Sequence, residues 1–216
     1  MTGKSTYTEE TIRDFLHILA QDTPLPAGGS IAALGGALAA SFGIFLARLT
    51  LRHEKNPDRR TCFQELPTHL KLLSRKCLEL MDKDVKAYDQ VLQALRMPQT
   101  SDEEITIRKK TLSSARKMAF IVPFQVAQKG LEILRWSREL IESGYAVTLA
   151  DVAVMTEMAF SCLKSGLWIA MANLSDIDDD DFTVRHVRLV KNIQTKGEKL
   201  YNDIQKDLQV SICPED

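Results

Sequence analysis

The fold of this chain is decided by Pro24-Leu25-Pro26-Ala27-Gly28-Gly29-Ser30, which runs directly into Ile31-Ala32-Ala33-Leu34-Gly35-Gly36-Ala37-Leu38-Ala39-Ala40. Two prolines and two glycines predict a tight loop with free backbone N–H groups, and Ser30 is expected to be the N-cap of the helix that follows. A helix start behind such a loop can hold an anion. Because the helix is rich in Ala and Gly, a second backbone can pack unusually closely on it. We therefore expect the loop to lie deep in a helical assembly beside a pocket, although a plain tight connection also accounts for it.

Apolar residues recur at the helical spacing of three and four residues along most of the chain. No window shows the alternation that is typical of a strand. Helices are predicted over residues 8–23, 30–51, 65–97, 101–143, 148–173 and 179–208, with a loop over residues 53–60. Pro123 is expected to kink or break the fourth helix. The pattern predicts an all-α fold, an up-and-down bundle of long helices in a single domain over residues 1–216.

The overall charge argues against a nucleic-acid partner. Lys and Arg number 28 against 29 Asp and Glu, which gives a formal net charge of −1. No basic field is available to attract a phosphate backbone. The apolar run over residues 31–47 reaches the lower length limit for a membrane span, but its Ala and Gly residues insert poorly, so we expect no membrane contact. The N-terminus lacks a signal-peptide pattern, which predicts a cytoplasmic protein.

Metal binding and disulfides are not expected from the sequence. Cys62, Cys77, Cys162 and Cys213 form no Cys-x-x-Cys pair, and they are interpreted as reduced thiols. The acidic run over residues 178–181 precedes a predicted helix, where the helix dipole stabilises negative charge. Adjacent carboxylates do not share one face of a helix, so this run is not interpreted as a metal site.

Asp84 is the strongest candidate for a catalytic residue. It falls in the middle of an apolar helical stripe formed by Leu70, Leu73, Cys77, Leu80, Met81, Tyr88, Val91 and Leu95. A carboxylate in such a place must find a donor, pair with a cation or stay protonated, and a raised pKa suits proton transfer near pH 7. Alternatively, Asp84 bonds a helix N-terminus or a tyrosine, or faces water.

Two further sets of polar residues each have two interpretations. Asp151 lies three residues after Thr148, which suits either a helix cap or a binding site. The basic group Arg48, Arg52, His53 and Lys55 either binds an anionic tail or is a solvated helix end that the helix dipole favours.

Several motifs, in the same order along the chain, resemble the cyclodeaminase half of formiminotransferase-cyclodeaminase. This family includes stand-alone bacterial cyclodeaminases and methenyltetrahydrofolate cyclohydrolases. Its Pro-x-Pro-Gly-Gly-Gly-Ser loop is similar to residues 24–30, and its Asp-x-x-Ala-Phe/Tyr segment is similar to residues 84–88. Its Val-Pro-x-x-Val-Ala and Asn-Leu-x-x-Ile-x-Asp segments resemble residues 122–127 and 173–179. The resemblance covers residues 8–208.

The resemblance implies an all-helical homodimer that binds a tetrahydrofolate between helices and subunits. Its reaction cyclises 5-formiminotetrahydrofolate to 5,10-methenyltetrahydrofolate with release of ammonia, or hydrolyses methenyltetrahydrofolate. Asp84 matches the family's acid/base residue. The expected substrate-binding residues are Gly28, Gly29, Ser30, Arg52, Lys55, Tyr88 and Asp151. Neither a metal nor a tightly bound cofactor is expected.

The chain departs from the family pattern at several positions. The first loop glycine is replaced by Ala27, and polar family positions are occupied by Tyr145, Ala150 and Ile169. These changes keep open an alternative function, a non-catalytic dimeric helical module that binds a folate or another pterin.

Overall fold

The structure is a computed structural model that describes residues 7–212, apart from the side chains of residues 58, 59 and 62. Over residues 7–212 the chain forms only helices, which confirms the all-α prediction. They are α1 (Ile12–Leu19), α2 (Gly28–His53), α3 (Pro57–Gln64), α4 (Leu66–Leu95), α5 (Asp102–Ser143), α6 (Leu149–Leu174) and α7 (Asp180–Ile212), with a short 3-10 turn at Ala146–Thr148 before α6.

The five long helices run alternately up and down. Along α2, Gly36 lies against Cys77 of α4 and Cys162 of α6, and one step further on, Gly43 lies against Leu70 and Met155. From Gly36 to Gly43 the residue numbers on α2 increase, while those of the contacting residues on α4 and α6 decrease. Both α4 and α6 are therefore antiparallel to α2. Helix α5 is also antiparallel to α6, as the pairs Gly130–Leu163 and Ala127–Gly166 show. Helix α7 is antiparallel to α6, as the pairs Lys164–Glu198 and Glu157–Tyr201 show.

Small residues on one side of α2 let it pack closely against α4 and α6. Ala33, Ala39, Ala40 and Ala47 are fully buried. A methyl group added to Gly36 would lie 2.7 Å from the Cys162 sulfur, so any larger residue there would push α6 away. The prediction of close helix packing on α2 is therefore confirmed.

Two segments, α2 and Ala146–Leu174, are long and apolar enough to cross a membrane by length and composition alone. Both pack against other helices of the bundle. In the most apolar stretch of α2, 56% is buried inside the bundle. In that of the second segment, 39% is buried.

The N-terminal segment closes the end of the bundle where α2 begins. Tyr7, Phe15 and Leu25 join an apolar cluster with residues of α2, α4 and α5, among them Met81, Val85, Val122 and Val126. Polar contacts fix its position, because the Tyr7 backbone N–H and the Thr8 hydroxyl each donate to the Asp82 carboxylate at 3.0 Å. This packing holds the glycine loop against α4.

The ends of two helices differ from the sequence prediction. The first helix starts at Ile12 with Thr11 as its N-cap, because the Thr11 hydroxyl accepts from the Asp14 backbone N–H, and not at Thr8. The helix α3 begins at Pro57, inside the loop predicted over residues 53–60, and continues to Gln64. Its proline occupies the first helical position, where a missing N–H costs nothing.

The prediction of a break at Pro123 is wrong, because α5 continues through it from Asp102 to Ser143. Proline has no N–H, so the Ala119 carbonyl one turn earlier lacks its donor within the helix. The Asn173 side chain of α6 donates to that carbonyl at 2.7 Å. A side chain of a neighbouring helix thus replaces the missing backbone hydrogen bond.

The two cysteines whose side chains the structure describes, Cys77 and Cys162, are free thiols, as predicted. Both are buried where α4 and α6 approach Gly36. The Cys62 side chain and Cys213 lie outside the described part of the chain.

Candidate active site

The Asp84 carboxyl group lies against the first turn of α2. Asp84 belongs to α4 and is only 8% exposed. Its Oδ2 accepts from the Ser30 hydroxyl at 3.1 Å, and the Ser30 backbone N–H also donates to the carboxylate. The inward orientation expected from the apolar stripe is therefore confirmed, and the alternative in which Asp84 faces water is wrong. The predicted contact with a helix N-terminus is present, and such a contact leaves a carboxyl group able to exchange a proton.

Gly29 makes this approach possible. A Cβ built on Gly29 would lie 2.1 Å from Asp84 Oδ1 and 2.5 Å from the carboxyl carbon. Real Cβ atoms do not come this close to other atoms, so a side chain at position 29 displaces the carboxylate or the helix end. The position of the Asp84 carboxyl group therefore requires glycine at residue 29.

Burial raises the pKa of the Asp84 carboxyl group above its usual range. The two hydrogen bonds from Ser30 favour the charged form and oppose this effect, but they do not outweigh it. A buried carboxyl group with a raised pKa and a polar donor at hand is suited to accept a proton and return it.

Ser30 does not cap α2, and this prediction is wrong. Ala27 occupies the N-cap position, and no side chain caps the helix there. Ser30 lies within the first turn, where its hydroxyl reaches Asp84 and also lies 3.4 Å from the Met81 carbonyl oxygen. The predicted Gly-Gly-Ser segment is thus at the site, with its serine bound to the acid.

Two more side chains lie at this end of the bundle. Tyr88 follows Asp84 by one turn of α4, on the same helix face, and is partly exposed. The Ile169 side chain of α6 lies over Gly28, where a Cβ would be 3.0 Å from its terminal methyl carbon. The family position that Ile169 occupies therefore borders the loop.

Arg52, Lys55 and Asp151 are not brought to Asp84 within one chain. Arg52 lies in the last turn of α2, Lys55 follows that helix, and Asp151 lies in the first turn of α6 beside them. At a rise of about 1.5 Å per residue, Arg52 is about 33 Å from Ser30 along α2. Their role in substrate binding stays a prediction, and a ligand at Asp84 of the same chain would have to span this distance.

The predicted cap between Thr148 and Asp151 is not formed. Thr148 does occupy the N-cap position of α6, but its hydroxyl donates to the Tyr145 carbonyl at 2.7 Å instead of accepting from the helix. Tyr145 stacks on His53 at a ring-centre distance of 4.4 Å. It therefore stands at the far end of α2 and does not fill the space beside Asp84.

The structure also shows contacts that the sequence did not indicate. The Met81 carbonyl that Ser30 approaches is a backbone group, and no sequence motif indicates it.

Two surface clefts lie between α4 and α5. The first has a volume of about 600 Å³ and is lined by residues such as Gln93 and Lys110, and the second has about 470 Å³ and is lined by residues such as Trp136. Asp84 lines neither cleft, and the pocket predicted at the glycine loop stays a prediction.

Comparison with known proteins gives concordant matches. Residues 11–192 match the family model described as formiminotransferase-cyclodeaminase. A methenyltetrahydrofolate cyclohydrolase of Methylorubrum extorquens is 26% identical over 200 residues, which are 91% of this chain and 96% of that protein. The mouse formimidoyltransferase-cyclodeaminase is 24% identical over 86% of this chain. This chain covers only 35% of the mouse protein's length.

A solved structure supports the fold. The formiminotetrahydrofolate cyclodeaminase of Thermotoga maritima superposes with a TM-score of 0.84 at 21% identity, over 94% of this chain and 98% of that one. The match of the family model over most of the chain, together with an acid buried at a glycine-rich helix start, places this protein in the formiminotransferase-cyclodeaminase family.

Proposed function

We propose that this protein is a folate one-carbon enzyme. It cyclises 5-formiminotetrahydrofolate to 5,10-methenyltetrahydrofolate with release of ammonia, or it hydrolyses methenyltetrahydrofolate. The observation that carries the proposal is the Asp84 carboxyl group, buried against Gly29 and hydrogen-bonded to Ser30. The names of two relatives that align with most of this chain supply the two reactions.

Asp84 serves as the single acid/base group of the cyclisation. N10 of the substrate attacks the formimino carbon, a bond forms between them, and the bond from that carbon to the departing nitrogen breaks. The formimino nitrogen enters the reaction protonated, as =NH2+, so the attack by N10 leaves it as an –NH2 group. Asp84 takes the proton from N10 and gives it to this nitrogen, which leaves as ammonia, and the positive charge stays on the methenyl product. The carboxylate is thus regenerated, which requires a pKa that allows both protonation states.

The hydrolysis uses the same carbon with water as the attacking group. Asp84 then accepts a proton from water as the new carbon–oxygen bond forms, and gives it to one of the two nitrogens as the bond from the carbon to that nitrogen breaks. The hydroxyl proton is released to solvent, and a formyl group remains on the other nitrogen. Both reactions place the same demand on Asp84, so one variant tests both.

The test is the absorbance of methenyltetrahydrofolate, measured as its formation from the formimino substrate or as its loss on hydrolysis. Wild type is expected to turn over at least one substrate, and Asp84→Asn to lose about 10²- to 10⁴-fold in kcat while it still binds folate. Asp89→Asn, the same change at a half-buried aspartate of α4 whose carboxylate accepts from Gln93, is the matched control and keeps its activity. Equal rates in wild type and Asp84→Asn would contradict the proposal.

The contact of Ile169 with Gly28 favours a second candidate function, because an apolar side chain borders the loop at a position that is polar in the family pattern. This candidate is a dimeric helical module that binds a folate or pterin without turnover. Thermal stabilisation by tetrahydrofolate without any change in methenyltetrahydrofolate absorbance would support it over the enzyme.

We further propose a homodimer that forms through the outer face of α2 and α6. Large apolar side chains are exposed there at helical spacing: Ile31, Leu38, Phe45, Val154 and Trp168, the last of them 70% exposed. Large exposed apolar side chains that recur every seven residues along one helix face, as Ile31, Leu38 and Phe45 do, are typical of an interface. The single domain over residues 1–216, the cytoplasmic location and the lack of a tightly bound cofactor stay predictions.

A further inference from the structure

The Ser30 hydroxyl has two acceptors and one proton. Its oxygen lies 3.1 Å from Asp84 Oδ2 and 3.4 Å from the Met81 carbonyl oxygen. Ser30 is fully buried. A serine hydroxyl donates one hydrogen bond and accepts up to two, so it can donate to only one of these oxygens at a time. Which of the two oxygens accepts the hydrogen bond depends on whether Asp84 is charged.

Neither orientation leaves a buried polar group without a partner. Met81 lies inside α4, so the backbone pattern of the helix already supplies its carbonyl with a donor, and Ser30 uses the second lone pair. When Asp84 is ionised, the carboxylate needs a donor and Ser30 supplies it. When Asp84 is protonated, its O–H needs an acceptor, and the Ser30 oxygen is within reach.

We propose that Ser30 is a positioning residue whose hydroxyl reorients with each change in the protonation of Asp84. With the carboxylate, the hydroxyl donates to Asp84 Oδ2. After Asp84 Oδ2 gains a proton, the Asp84 O–H donates to Ser30 Oγ and the Ser30 hydroxyl turns to donate to the Met81 carbonyl. Ser30 neither gains nor loses a proton, and only the direction of its O–H bond changes.

The surroundings of Asp84 leave Ser30 as the main polar influence on it. On α2, no titratable residue precedes Arg48, which lies more than four turns from Ser30. On α4, Lys83 and Lys86 are exposed, Tyr88 lies one turn away, and the Asp82 carboxylate accepts from Tyr7 and Thr8. On α5, the residues of the adjoining cluster are the apolar Val122 and Val126. On α1, the titratable residues Arg13, Asp14 and His17 are all exposed, and on α6 no titratable residue follows Lys164. Among the described residues, none contributes a charge that shifts the pKa of Asp84.

The inference predicts the effect of Ser30→Ala on the titration of Asp84. The hydrogen bond from Ser30 to the charged carboxylate is stronger than the bond that the protonated carboxyl group donates to Ser30, because one partner is ionised. Ser30 therefore favours the charged form, and its loss raises the pKa of Asp84 further. The midpoint is measured in the whole, ligand-free protein by carbon-13 NMR of the aspartate carboxyl groups, with Asp84→Asn to assign the signal. The Ser30→Ala midpoint is expected at a higher pH than that of wild type.

Ser137→Ala is the matched control. Ser137 is also a fully buried serine, but its hydroxyl donates to the Ile133 carbonyl of its own helix and has no carboxylate beside it. Its removal is expected to leave the Asp84 midpoint unchanged. An unchanged midpoint in Ser30→Ala, or an equal change in both variants, would overturn the inference.

The kinetic consequence rests on the proposed function. The acidic limb of the kcat/KM profile is expected to move to higher pH in Ser30→Ala, with a loss of about 10- to 100-fold in kcat because the reorienting partner is gone. A fall in kcat without movement of the limb would show a merely structural role and would contradict the inference. If wild type turns over neither folate but the NMR midpoint moves as expected, the proposed function fails and the inference stands.

Discussion

At the scale of single residues, the buried Asp84 carboxyl group lowers the stability of the folded protein when it is ionised. Its pKa is higher in the folded protein than in the unfolded chain, so the folded state binds the proton more tightly. Stability therefore falls as the pH rises through the folded-state pKa, and this loss is absent below the ordinary aspartate pKa of 3.8.

Asp84→Asn is accordingly expected to melt at a higher temperature than wild type at pH 7 to 8, because the buried charge is gone. For a chain of this length, each kcal/mol corresponds to about 2–4 °C. Calorimetry at several pH values measures the difference, which should disappear near pH 3. Asp89→Asn should show no such gain, and a melting temperature of Asp84→Asn at or below that of wild type at pH 7 would contradict the prediction.

Gly29 gives a second prediction at this scale. In Gly29→Ala the new methyl group occupies the space of the Asp84 carboxylate, so we expect a loss of activity of about 10²-fold or more. Gly35→Ala is the control, because its Cβ meets only the Met158 carbonyl oxygen at 3.9 Å. Steady-state kinetics of both variants would decide, and a fully active Gly29→Ala would show that the close approach is not needed.

At the scale of the helices, the passage of α5 through Pro123 depends on Asn173. Asn173→Leu leaves the Ala119 carbonyl without a donor, at a cost of about 1–3 kcal/mol in the free energy of unfolding. In a Pro123→Ala background the backbone N–H returns and supplies that carbonyl, so the same change should cost less. Urea unfolding of the four proteins measures this coupling, and purely additive effects would refute it.

At the scale of the whole molecule, the exposed apolar face of α2 and α6 predicts a dimer. Leu38→Glu places a charge on this face and is expected to give a species with the mass of one chain in sedimentation equilibrium, where wild type has the mass of two. Leu72→Glu is the matched control, because Leu72 is similarly exposed but belongs to α4. A dimer that survives Leu38→Glu, or a monomeric wild type, would rule out this interface.

Helix content, the up-and-down order and the inward Asp84 followed from the sequence alone. They depend on the period of the apolar residues and on short loops, which are local properties of the chain. The sequence partly predicts the residues that contact Asp84, since it indicates Gly29 and Ser30 as site residues but favours a helix cap for Ser30. The sequence does not show that Arg52, Lys55 and Asp151 lie at the opposite end of α2 from Asp84.

Only the tertiary structure decided which atoms meet across helices. The contact of Ser30 with Asp84 and Met81, the hydrogen bond from Asn173 to Ala119, and the separation of Arg52 from Asp84 all depend on how far each helix slides and turns against its neighbour. A periodic pattern fixes the face that a helix buries, but the sliding and turning are set by side-chain packing between residues distant in the chain.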